Sequence, residues 1–74
     1  MIKKQIASDI HNRENIFVEL WINDQLFAEI INECDKVEVI FYNNPDGDWG
    51  EIPLNEVLQE LQWAQRELSF IDMK

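Results

Sequence analysis

The chain has little of what most catalytic and metal centres are built from. Its 74 residues include one cysteine, Cys34, and one histidine, His11. A lone cysteine excludes an internal disulfide, and an unpaired thiol suits a reducing compartment. Two glycines, Gly47 and Gly50, are too few for a glycine-rich loop that cradles phosphate. Bases are also scarce, with six Lys and Arg against fifteen Asp and Glu. Apolar runs extend only a few residues, far below the roughly 20 that span a bilayer. Gln5, Ser8 and Asp9 interrupt the stretch after Met1-Ile2-Lys3-Lys4 before the apolar core of a signal peptide can form. No membrane contact is expected, and the expected location is cytoplasmic.

The few reactive side chains are poorly placed for chemistry. His11 lies where the periodicity is weakest, and its simplest role is a surface histidine. Cys34 stands between Glu33 and Asp35, whose negative charge blunts a thiol's reactivity. Asp46-Gly47-Asp48 suggests a calcium loop, but aligning Gly47 with the invariant glycine of an EF-hand puts Tyr42 at the first ligand position. Pro53 then falls where the bidentate glutamate belongs. Those aspartates read as turn residues. No catalytic residue, metal or cofactor is expected, and the chain reads as a non-enzyme.

What the chain does have is acid, unevenly spread. Between Glu14 and Glu60 Lys36 is the sole base, and the other bases lie toward the two ends. The net charge is −9. Such a field repels nucleic acid and anionic membrane and speeds encounter with a basic protein, although acidity also keeps a small domain soluble. A hydrophobic fraction of 46% argues for a folded chain.

The pattern defines one α+β domain over residues 1–74: a three- to four-stranded antiparallel meander across 15–52, then a helix across 55–69. Residues 1–13, with Ile2, Ile6 and Ile10 every fourth position, permit a short helix, an edge strand or a flexible arm. Asn15–Ile22 and Leu26–Ile31 form a hairpin. A three-residue loop pairs Ile22 with Leu26, Leu20 with Ala28 and Val18 with Ile30, making one face wholly aliphatic. A two-residue turn would bury Glu29 on that face, so the longer loop is expected, at the cost of a left-handed Gln25. A second turn at Asn32–Asp35 leads to Lys36–Tyr42, with Val37, Val39 and Phe41 on the aliphatic face. Asn44-Pro45-Asp46-Gly47 is another turn, and Trp49–Ile52 a short further strand. Asn55 caps the helix, whose stripe of Val57, Leu58, Leu61, Ala64 and Leu68 covers the aliphatic face.

Two apolar surfaces remain. The other sheet face carries Phe17, Trp21, Phe27, Ile31, Ile40 and Tyr42, interleaved with Glu19, Glu29 and Glu38. Its aromatics could stack bases, but single-strand binders interleave them with lysine and arginine, so direct nucleic-acid binding is not expected. The N-terminal segment, a second copy or a foreign protein could cover it. On the helix, Trp63 lies roughly 160° from Leu61, with Phe70 near the same line, and both are expected to face away from the core. The expected partner-binding set is therefore Phe17, Glu19, Trp21, Phe27, Glu29, Glu38, Tyr42 and Trp63.

The run LWINDQLFAEI followed by VEVIFYNNPDGDWGEIPLNEVLQELQWAQREL resembles small acidic immunity proteins encoded beside bacterial toxins. The likeness covers most of the chain in layout and composition and transfers no functional residue. It overlaps with phage-encoded inhibitors such as anti-CRISPR proteins. Both resemblances imply stoichiometric inhibition, in which an acidic surface occludes a basic one on a toxin, often a nuclease, or on a nucleic-acid-binding protein. A homo-oligomeric accessory subunit, with a homodimer as its simplest form, is the other expectation.

Overall fold

The computed structural model describes residues 1–69. It is α+β, with a four-stranded antiparallel sheet in the order β1-β2-β3-β4 and one helix packed on it. The strands are β1 (Ile2–Ala7), β2 (Phe17–Ile22), β3 (Gln25–Glu33) and β4 (Lys36–Phe41), and the helix is α1 (Leu54–Ser69). Of the three forms open to the N-terminus, an edge strand is the one adopted: β1 pairs with β2, Ile2 opposite Ile22 and Ile6 opposite Val18.

The β2–β3 hairpin reaches the expected pairing of Leu20 with Ala28 and Val18 with Ile30 by a different turn. Asn23 and Asp24 both have positive φ, 50° and 63°, and Ile22 pairs with Gln25. Asn and Asp tolerate the left-handed region better than Gln, which favours the two-residue turn. The ladder then skips Phe27, a β-bulge that restores the aliphatic register beyond it. Both expectations about this hairpin are thus corrected: the loop has two residues, and Phe27 leaves the aromatic–acidic face. The bulge turns its ring into the core, 5.2 Å from Trp49 and 5.6 Å from Phe41, edge to face in each case.

The next turn is also tighter than expected. Cys34 and Asp35 take positive φ and join Glu33 to Lys36, so Asn32 belongs to β3 and is fully buried. Trp49–Ile52 is not a strand. Trp49 packs against Phe27 with its indole N–H donating to the Tyr42 carbonyl at 2.9 Å, and Ile52 lies against the core.

The helix starts one residue early. The Pro53 carbonyl accepts from the Val57 amide at 3.2 Å, so Pro53 and not Asn55 precedes the first turn. Glu56 in that turn accepts from the Ile2 amide at 2.6 Å and lies 3.2 Å from the N-terminal ammonium. Its carboxyl is held below the ordinary range, mainly by that amide and also by the ammonium.

Ala64 and Leu68 are the buried centre of the helix contact, whereas Leu61 is only half-buried and Leu58 is exposed. Trp63 packs against the core instead of facing away, with the Lys4 ammonium 4.7 Å from its ring and Lys4 also paired to Glu60. The cause is β1, which widens the sheet and places Lys4 under that flank. Phe70 lies outside the described residues. On the opposite flank the helix falls short of β4, and Val37, Val39 and Phe41 lie on the expected face but stay 37%, 42% and 58% exposed.

Candidate protein-binding surface

On the face away from the helix, Glu19 of β2 stands directly opposite Glu29 of β3. Like charges so placed repel. Relief comes from the segment between β1 and β2, which crosses this face. Arg13 reaches Glu29 Oε1 at 3.3 Å, and its guanidinium lies 5.8 Å from the Phe17 ring centre. Tyr42 donates its hydroxyl to the same Glu29 oxygen at 2.7 Å, and the Trp21 indole N–H donates to Glu19 Oε1 at 3.2 Å. Glu33 fastens the segment by accepting from the backbone amides of Glu14 and Asn15.

The cover is therefore neither absent nor made by isoleucines. Ile10 is almost fully exposed, and Ile6, half-exposed, shares the face of Val18 on the helix side. With Arg13 in place, Phe17, Glu29 and Ile31 are buried. Glu19, Trp21, Ile40 and Tyr42 are half-buried, and Glu38 is exposed. Beside Trp21, a hollow of about 220 Å³ is lined by Lys3, Gln5 and Asp24.

Of the eight residues expected to meet a partner, this face brings together Phe17, Glu19, Trp21, Glu29, Glu38 and Tyr42. Phe27 and Trp63 belong to the helix side. Sequence reasoning missed Arg13, and one signal was available: it is the only Lys or Arg between Lys4 and Lys36, next to a face carrying three carboxylates.

The Glu29 carboxylate raises the Tyr42 phenol above its ordinary pKa, first by accepting its hydrogen bond, then with burial and direct charge repulsion. The chain has a single tyrosine, so an ultraviolet titration reads it alone. The phenol should ionise above the usual value of about 10. Because the folded value is the higher one, the stability it confers is present below about pH 10 and is lost as pH rises through the folded value. Glu29→Gln should bring the midpoint back toward the ordinary value. An unmoved midpoint would mean that Glu29 is not the partner.

Among the described residues, no three His, Cys, Asp or Glu side chains converge on a point that could hold a metal ion. None of the described helices is long and apolar enough to cross a membrane. No protein-family model, curated protein or solved structure matches the chain.

Proposed function

We propose that the chain is a small acidic protein-binding domain that acts as a stoichiometric inhibitor or immunity protein against a basic partner such as a toxin nuclease. The observation that carries this is the placing of Glu19, Glu29 and Glu38 on three adjacent strands, with half-buried Trp21 and Tyr42 among them. An anionic surface steers a cationic protein toward it, and aromatic side chains at its centre hold what arrives. Glu29 is committed to Arg13 and Tyr42, so the exposed Glu38 and half-buried Glu19 do most of the steering.

The test is kinetic, on a partner captured by the immobilised chain from native lysate and then purified. Reversing Glu19 and Glu38 to Lys should slow association about tenfold at ~0.05 M salt and much less at ~0.5 M, where the Debye length is severalfold shorter. Trp21→Ala should speed dissociation, costing about 2 kcal/mol. Trp63→Ala, across the sheet and engaged by Lys4, serves as the control and should leave dissociation unchanged. An association rate indifferent to salt and to both reversals would refute the acidic-face mechanism.

A further inference from the structure

β4 ends the sheet, and its outer edge has no strand beside it among the described residues. Its hydrogen-bond parity follows from one contact. The Tyr42 amide donates to the Phe27 carbonyl at 2.9 Å, in register with Ile40 opposite Glu29 and Glu38 opposite Ile31. Bonding alternates along an antiparallel pair, so Lys36, Glu38 and Ile40 direct their backbone groups to β3. Val37, Val39 and Phe41 direct theirs outward. These same three carry the exposed apolar side chains on the helix side. Between them and the helix runs an apolar groove of about 200 Å³, floored by Ile30, Val37 and Val39 and walled by Leu58 and Leu61.

An open edge beside an apolar groove is the geometry for strand addition, where backbone bonds supply affinity and alternate side chains enter the groove. Charge selects the occupant. Glu38 projects to the opposite face from the middle of β4, exposed Asp35 precedes the strand and Asp46 and Asp48 follow it, four acids against the single base Lys36 at the start of the strand. A second copy fits poorly. The outward parity restricts a symmetric antiparallel self-pair to a few registers. The one centred on Glu38 sets carboxylate against carboxylate; the one centred on Val37 sets Lys36 against Glu38 but, like every other, brings together two chains of net charge −9.

We propose that β4 takes an extended segment of the basic partner as a fifth strand, with apolar side chains entering the groove and alternate lysines or arginines facing Glu38. This rests on the proposal of a basic partner and adds a second contact surface to it. The probe is a capped peptide of about seven residues alternating valine and lysine, with a valine–glutamate counterpart. Amide hydrogen exchange of the intact chain is followed by NMR, and its mass in solution is measured alone and with peptide.

The valine–lysine peptide should slow exchange at Val37, Val39 and Phe41 at least tenfold and leave Glu38 and Ile40 as they were. The valine–glutamate peptide should leave all five amides as they were. Val39→Pro removes one outward donor without touching the β3 ladder, as edge positions tolerate, and should abolish the protection while the fold persists. Should that variant unfold, a peptide N-methylated at alternate amides removes the same bonds from the other side and must also fail to protect. Protection of the three amides in the chain alone, with a dimer mass, would assign the edge to a second copy and overturn the proposal. Valine–lysine peptide perturbing only the Trp21 face, or nothing at all, would overturn the β4 assignment and leave the acidic-face proposal to its own kinetics. Equal protection by both peptides would keep the edge but refute the basic partner.

Discussion

Leu68→Ala should remove most of the chain's stability at room temperature. Leu68 is fully buried beside Ala64, in a cluster with Val18, Leu20, Ala28 and Ile30, so truncation removes side-chain volume that nothing nearby can refill. Such changes cost about 2–5 kcal/mol. A core in a domain this small supplies only about 3–5 kcal/mol in total, and among the described residues there is neither a second cysteine for a disulfide nor a cluster of metal-ligating side chains to reinforce it. Leu58→Ala is the matched comparison, on the same helix and of the same chemistry. Leu58 is 45% exposed at the groove, and its truncation should cost less than about 1 kcal/mol. Urea unfolding of the two variants checks both values. Equal losses would mean that the helix is centred on Leu61, as its apolar stripe alone suggests, and not on Ala64 and Leu68.

That comparison marks how far the sequence could be read. The architecture was legible because alternation in β2, β3 and β4 and the helical stripe are both strong periodic signals. The pairing of Leu20 with Ala28 followed from keeping Glu29 out of the aliphatic face. The turn did not follow, because the backbone has two ways to meet that demand. A left-handed Gln25 is one, and a bulge at Phe27 the other; the tolerance of Asn23 and Asp24 for positive φ decided it. The helix position was harder still. It depends on where β1 docks, and three isoleucines at every fourth position do not distinguish an edge strand from a helix. Once β1 lies beside β2, Lys4 and Glu60 pair across that side, Trp63 becomes a packed residue, and β4 is only partly covered. The candidate site was legible in composition, since Trp21, Glu19, Glu38 and Tyr42 share one face as alternation requires. Its internal neutralisation was not, because Arg13 reaches Glu29 from a segment with no periodic signal.

Asn32→Asp should destabilise the chain more than Asn32→Ala at neutral pH, and the order should narrow or reverse in acid. Asn32 is fully buried on the helix side of β3, and its Nδ2 donates to the Leu68 carbonyl at 2.8 Å, near the end of the helix. Its own carbonyl accepts from Asn15 Nδ2 at 2.6 Å, so the same residue ties the helix end to the segment that carries Arg13. Alanine removes the side-chain donor and costs about 1–3 kcal/mol. An ionised aspartate instead turns a carboxylate toward a carbonyl in a water-excluded site, a penalty on the order of 3–5 kcal/mol, comparable to the whole stability of the domain. Burial will raise the folded pKa of that aspartate above about 3.9, and its protonated form can again donate to Leu68. The stabilising effect is therefore present below about pH 3.9 and is lost as pH rises through the folded value. The parent also weakens in acid. Glu56 has a lowered folded pKa, so its contribution is lost as pH falls through that value, and Asn32→Ala must be the reference at each pH. The measurement is the difference in urea midpoint between the two variants from about pH 4 to about pH 7. A difference independent of pH would mean that the side chain at position 32 is not enclosed against the helix end, and the link between helix and site would fall with it.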